Sequence, residues 1–313
     1  MKILITGVAG FIGFNVCNKL LKDKKNFIIG IDNINDYYDQ KLKLNRLKEL
    51  KKNKNFNFYK KDLSKTKFGY INKKIDIIIN LAAQAGVRHS VDFPRDYIDS
   101  NVNGFFNILE FAKKNKVKKL IYASSSSVYG DTKKFPSREI DSLDPSSMYA
   151  ASKEFNERLA ELYSKFYGIN SIGLRFFTIF GEWGRPDMFI GKYIDCAKKR
   201  KTFYLNGSGK HLRDFTYIDD VSKILVKMIK NKNKIKNHKV YNICSNNPVD
   251  LRDIIKVINR YFKKPKIIKR GYQMADVYKT HGDNKKVLKD FGIGKFTHIN
   301  ISLKNTILWY KNN

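Results

Sequence analysis

Apolar residues fall in short runs, and between the runs they recur every three or four positions. Lys2 to Thr6 carries the run Ile3-Leu4-Ile5, of strand length, and Ile12, Val16 and Leu20 follow at the fourfold spacing of a helix face. Phe27 to Ile31 repeats the strand pattern and stops at Asp32. Phe56 to Tyr59, Ile75 to Asn80 and Lys119 to Ala123 continue as strands, with helical patterns between them. One of these, from about Tyr97 to Ala112, places Ile98, Asn101, Phe105, Leu109 and Ala112 on a single stripe. Another runs from about Met148 to Tyr167. Strands that alternate with helices predict a doubly wound parallel sheet, because parallel strands need crossovers that cover both faces.

After about Leu174 the pattern loosens. Turn signals such as Asn206-Gly207-Ser208-Gly209 and short strands interrupt the helices. The expected fold is therefore α/β: a Rossmann-like doubly wound parallel sheet with a smaller α+β substrate-binding domain. The boundaries expected are 1–173 for the first domain and 174–313 for most of the second, with the chain returning to the first around 211–245. No internal repeat is visible, and Lys230 to Lys239 comes nearest to a low-complexity linker.

Composition narrows the class of protein. A chain of 313 residues, 42% of them hydrophobic, suits a globular protein with a large core. The apolar runs fall far short of the ~20 residues needed to span a bilayer, and Met1-Lys2 leads directly into a strand, so neither a membrane partner nor a secretory leader is expected. Cys17, Cys196 and Cys244 lack metal-ligand spacing, which predicts no metal site and a reduced, cytoplasmic location. Net charge is extreme, at +33. The excess is mostly Lys, spread along the chain beside Asn and Ile, and no segment interleaves Arg with aromatics as a base-stacking surface would. It reads as solvated surface, without a nucleic-acid partner.

Thr6-Gly7-Val8-Ala9-Gly10-Phe11-Ile12-Gly13 follows a strand directly and opens a helix. In that context Gly7 allows the tight turn, Gly10 admits a pyrophosphate and Gly13 allows close helix packing, while the helix N-terminus faces the phosphates. Asp32 ends the second strand 19 residues after Gly13, where a carboxylate binds ribose hydroxyls and repels a 2′-phosphate. NAD is thus the expected cofactor. Tyr149 and Lys153 stand four apart on one helix face. An adjacent ammonium favours the phenolate of a tyrosine whose ordinary pKa is about 10, and the phenolate can then take a hydroxyl proton while hydride leaves the same carbon.

Taken together, these residues resemble the extended short-chain dehydrogenases/reductases, in their nucleotide-sugar epimerase branch. The resemblance covers nearly the whole chain. It includes the glycine turn, Asp62 and Leu63, Leu81-Ala82-Ala83, and Ser124 to Gly130. It continues through Tyr149 to Lys153, Leu174-Arg175-Phe176-Phe177 and Arg213 to Asp220. Asp32-Asn33 to Asp39, Ala83 to Arg88 and Gly184 to Met188 are similar to UDP-glucuronate 4-epimerases in particular.

The resemblance implies Tyr149 as base, Lys153 as its partner and ribose contact, and Ser125 or Ser126 as third member. It implies a cofactor site of Gly7, Ala9, Gly10, Phe11, Ile12, Gly13, Asp32, Asn33, Asp62, Leu63, Leu81, Ala82, Ala83 and Asn101, shared with Tyr149 and Lys153. For the UDP-sugar it implies Arg88, Ser126, Ser127, Tyr149, Thr178, Arg185, Arg213 and Asp276, with Arg185, Thr178 and the serines near a uronate. The implied activity is inversion of carbon 4 of a UDP-sugar through a 4-keto intermediate, UDP-glucuronate and UDP-galacturonate being first in line. Another UDP-hexose, an N-acetylated uronate, a decarboxylase reaction and a non-catalytic NAD sensor stay open. Related dehydratases carry Asp-Glu where this chain has Ser126-Ser127, and related decarboxylases keep a Glu there, which speaks against both reactions. Pairing of such chains through two helices each implies a homodimer, with the Tyr97 to Ala112 stripe and the Tyr149 helix as candidate contacts.

Overall fold

A computed structural model describes residues 1–271 and 277–313. β1 (Lys2–Thr6) turns into α1 (Phe11–Leu20), and β2 (Phe27–Asp32) leads to α2 (Gln40–Lys51). β3 (Phe56–Lys60) and β4 (Ile77–Asn80) follow, then two single-turn helices, α3 (His89–Asp92) and α4 (Pro94–Tyr97). A π-helical stretch over Ile98–Asn103 runs into α5 (Gly104–Lys114), and β5 (Lys119–Ser125), α6 (Met148–Tyr167) and β6 (Asn170–Phe176) come next. The remaining chain forms β7 (Thr178–Phe180), α7 (Phe189–Lys198), β8 (Phe203–Asn206), β9 (Leu212–Tyr217), α8 (Ile218–Lys230) and β10 (His238–Ile243). It closes with β11 (Pro248–Asp250), α9 (Leu251–Ile258), β12 (Ile267–Arg270), α10 (Lys285–Phe291) and α11 (Ile299–Asn312).

Seven strands form one parallel sheet in the order β10-β6-β5-β4-β1-β2-β3. Its interior strand β1 is apolar on both faces because helices cover both: Ile3, Leu4 and Ile5 have no exposed surface. α1 and α8 lie on one side, supplying Phe14, Val16, Val221 and Leu225. α5 and α6 lie on the other, supplying Phe105, Leu109 and Tyr163. The strand order reverses between β1 and β4, and Thr6 is level with both Ile31 and Asn80. That register opens a crevice at the carboxyl ends of the strands, the usual ligand position in such sheets. Beyond it, β11, β9 and β7 form a three-stranded sheet, and β8 pairs with β12.

The helix expected over Tyr97 to Ala112 is not uniform. Its first part is wound as a π-helix, which adds about one residue per turn and rotates the stripe. Asn101 consequently points inward, bonding Gln84 N, Gln84 O and the Ser152 hydroxyl at 2.8, 3.0 and 3.0 Å, while Ile98 is exposed. Phe105, Leu109 and Ala112 are buried in the chain's own core. The stripe is therefore unavailable to a second subunit, contrary to expectation. The outward faces of α5 and α6 instead carry Phe106, Phe155, Leu162 and Phe166, all exposed.

Candidate active site

A cleft of about 650 Å³ runs along the carboxyl edge of the large sheet. At its base the glycine turn is fixed by close approach. Gly7 adopts φ +69°, and a Cβ there would lie 2.6 Å from Ala82 N; at Gly13 a Cβ would lie 2.1 Å from Gly7 O. Only glycine permits α1 to seat this tightly against β1 and β4. No side chain caps the first turn of α1, whose N-cap is Gly10, so the helix end presents backbone amides to the cleft. Asp32 accepts hydrogen bonds from Ala9 N at 3.0 Å and Ile34 N at 2.8 Å, and burial raises its pKa above the ordinary value. Asp62 is held below the usual carboxylate range by Ser64 and Asn33, which outweigh its partial desolvation. A phosphate cradle with two carboxylates beyond it fits a dinucleotide with free ribose hydroxyls.

Gly7, Gly10, Phe11, Ile12, Gly13, Asp32, Asn33, Asp62, Leu63, Leu81, Ala82 and Ala83 all line this cleft. Ala9 and Asn101 do not. Ala9 lies under the turn, its amide on Asp32 and its carbonyl on Arg46, and the Asn101 amide is used by Gln84 and Ser152.

Tyr149 stands on the first turn of α6, whose start is capped by Ser147 Oγ accepting from Ala150 N at 3.1 Å. β5 ends level with β6 at Ser125 and Phe176, and this delivers the serine run to the same place. Of the two candidate serines, Ser125 faces the Tyr149 phenol closely enough for its hydroxyl to favour the phenolate; its Oγ accepts from Ser127 N at 3.1 Å. Ser126 lines the cleft from the start of a 3-10 turn. Ser124 points inward to Glu157. Lys153 is buried, donates to Ala123 O at 3.0 Å and lies 6.0 Å from the centre of the Tyr149 ring.

The electrostatics differ from the expectation for this pair. Burial raises Tyr149 above its usual value, opposed by the Ser125 hydrogen bond and the Arg185 charge. Burial also lowers Lys153 to about 8. Desolvation of both groups thus exceeds the pull of one on the other.

Thr178, Arg185, Arg88, Ser127 and Arg213 line the same cleft. Arg185 pairs with Asp187 in a fork, Nε to Oδ1 at 3.0 Å and Nη2 to Oδ2 at 2.5 Å, and that carboxylate raises the guanidinium pKa further. Arg185 Nη2 also reaches the Tyr37 hydroxyl at 3.5 Å. With the Asn206 amide oxygen turned toward it, Arg88 donates both terminal nitrogens at 2.9 and 3.0 Å. Arg213 donates to Leu212 O and Tyr278 O, each at 3.1 Å. Asp276 lies outside the described residues. Sequence reasoning missed Lys43, Lys192, Tyr204 and His211, which also line the cleft, and Arg46, buried behind it. Among the described residues no cluster of His, Cys, Asp or Glu could hold a metal ion.

A glycine turn, a ribose carboxylate and a Tyr-Lys-Ser group on one parallel sheet define a dinucleotide-dependent enzyme acting at a carbon that bears a hydroxyl. The chain belongs to the NAD dependent epimerase/dehydratase family, which matches residues 3–244. It is 38% identical to a UDP-glucuronate 4-epimerase of Thermodesulfobacterium geofontis, over 99% of this chain and 96% of that one. It is 40% identical to Protein CapI of Staphylococcus aureus, over 99% of this chain and 98% of that one. Among solved structures, the UDP-glucuronic acid 4-epimerase of Bacillus cereus in complex with UDP-glucuronic acid and NAD has a TM-score of 0.93 and 31% identity. That match covers 100% of this chain and 99% of that one.

Proposed function

We propose that this protein is an NAD-dependent isomerase that interconverts UDP-glucuronate and UDP-galacturonate by inverting carbon 4. The observation that carries this reading is the meeting of Tyr149, Ser125 and Lys153 with a half-buried arginine, Arg185, in one cleft that starts at a dinucleotide turn. Gly7, Gly10, Gly13, Asp32 and Asp62 would hold NAD, which would supply the reversible hydride acceptor for carbon 4. Tyr149 Oη takes the proton of the 4-hydroxyl and later gives it back, Ser125 keeps that oxygen in line, and the Lys153 ammonium eases formation of the phenolate. Arg185, Thr178, Ser126 and Ser127 hold the uronate carboxylate, where a guanidinium fork matches a planar anion. Arg88 and Arg213 serve the diphosphate side. Asp187, paired with Arg185, keeps that cation from being uncompensated between turnovers.

The chain reads as two lobes, 1–176 with a return over 218–243 and the rest of 177–313, with the sugar between them; the expected break at 173/174 moves to the end of β6, and β9 stays with the smaller sheet rather than with the return expected at 211–245. No helix among the described residues is long and apolar enough to cross a membrane. Three unpaired, buried cysteines support a reducing, cytoplasmic setting. The exposed apolar face of Phe106, Phe155, Leu162 and Phe166 supports a homodimer that buries α5 and α6 together.

The test is incubation with UDP-glucuronate and NAD, without added reductant, followed by NMR of the product. UDP-galacturonate at equilibrium is expected. No turnover of either uronate would sink the proposal. Tyr149→Phe removes the proton acceptor and lowers kcat by about 10²–10⁴, with UDP-glucuronate affinity kept within about threefold.

A further inference from the structure

Arg46 has no exposed surface, although it lies on a helix otherwise rich in solvated lysines. Among the described residues its guanidinium meets no carboxylate within hydrogen-bond distance. Nη1 donates to Ala9 O at 2.9 Å and to the Tyr38 hydroxyl at 2.7 Å; Nη2 donates to Trp183 O and, at 3.4 Å, to Gly184 O. Nε is buried without a partner. A buried cation satisfied mainly by carbonyls is costly, and burial accordingly lowers the Arg46 pKa. It would not be kept for stability alone.

Its partners show what it connects. Ala9 is the middle of the glycine turn, and Trp183-Gly184 lead directly into Arg185. Trp183 holds a left-handed backbone, φ +60°, which a tryptophan rarely adopts. Its ring is gripped by Phe14 of α1 at 5.0 Å and Trp309 of α11 at 5.3 Å. The strained peptide is thus fixed at its ring by packing and at its carbonyl by Arg46. From the same helix region Tyr38 braces the guanidinium, and the neighbouring Tyr37 hydroxyl touches Arg185.

The geometry points to Arg46 as a positioning residue: it ties the cofactor turn to the loop that aims Arg185, and so sets the preference for a uronate over a neutral hexose. This inference rests on the substrate reading above. A lysine carries the charge but cannot reach carbonyls on two segments at once, since it lacks the planar fork. Misaiming a guanidinium loses its charge-assisted hydrogen bonds to a carboxylate, which weakens binding by about tenfold or more, and the loss falls on the ligand that has a carboxylate.

The experiment measures binding of UDP-glucuronate, UDP-glucose and UDP by calorimetry on NAD-saturated wild type, R46K and R46M. In the variants UDP-glucuronate is expected to weaken about tenfold or more, while UDP and UDP-glucose stay within about twofold. In turnover the loss appears in KM for the uronate more than in kcat. Equal weakening of all three ligands, or an untouched preference in R46K, overturns the inference; R46K decides if R46M does not fold. A wild type that binds UDP-glucose as tightly as UDP-glucuronate removes the substrate reading, and this inference with it.

Discussion

Replacing Glu157 by glutamine isolates the cost of a charge buried beneath the serine run. Glu157, on α6, and Arg175, on β6, are both nearly inaccessible, with 6% and 4% of their side chains exposed. They form a full fork: Nε to Oε1 at 2.9 Å and Nη2 to Oε2 at 2.7 Å, with the Ser124 hydroxyl adding a third bond at 2.5 Å. Arg175 also donates to the Tyr129 hydroxyl at 2.9 Å, which in turn donates to Asn242 Oδ1. Glu157→Gln keeps the volume but sets an amide donor against one of the guanidinium donors. It strands a cation that the carboxylate now holds well above its ordinary pKa. Breaking one side of such a pair costs about 3–5 kcal/mol, or a loss of roughly 6–20 °C in Tm at the sensitivity of a large domain. Thermal unfolding of Glu157→Gln, Arg175→Met and the double variant closes a double-mutant cycle. The double variant is expected to recover much of the loss, because it leaves no unpaired charge. Single losses under about 1 kcal/mol, or a double variant at the sum of the singles, would refute the reasoning.

Three further outcomes follow from the site and the surface. With Tyr149 as the base in its phenolate form, and burial holding its pKa above the ordinary value, kcat/KM is expected to rise with pH through the neutral range. The Lys153 ammonium is present below about 8 and lost above, so the profile bends over near pH 8; Lys153→Arg, which stays protonated, moves that bend upward. In Gly13→Ala the new methyl meets Gly7 O at 2.1 Å, an overpacking worth about 1–3 kcal/mol. NAD titration followed by tryptophan fluorescence is expected to weaken, and unchanged affinity would contradict the close-packed turn. Phe166 is 65% exposed, and Phe166→Glu places a charge on the apolar face of α6; under the proposed homodimer, light scattering is expected to report a dimer for the parent and a monomer for the variant.

The cofactor turn and the Tyr149–Lys153 pair were legible in the sequence because both are local. Gly7, Gly10 and Gly13 signal a turn because they follow an apolar strand directly and open a helix, and Tyr149 and Lys153, four apart, share a face of a helix that follows the fifth strand. Asp32 was readable because the end of β2 is marked by the end of an apolar run. The π-helical stretch was not, since one extra residue per turn leaves an apolar repeat intact on paper while it turns Asn101 inward and Ile98 outward. The choice between Ser125 and Ser126 was left open for a related reason: within Ser124 to Ser127 only the pleat of β5 and the start of the 3-10 turn decide which hydroxyl faces the phenol.

Arg46 is the sharper case. Gln40 to Lys51 carries charges at 41, 43, 46, 48, 49 and 51, which in a chain of net charge +33 reads as a solvated helix. Nothing within that segment distinguishes a surface arginine from one at the centre of the molecule, because the acceptors that bury it come from residues 9, 183 and 184. A lysine-rich composition conceals such a group by supplying so many plausible surface cations. The residues most able to link a cofactor turn to a substrate loop are therefore those whose partners are distant in sequence and mostly backbone, and they become visible only when the chain is folded.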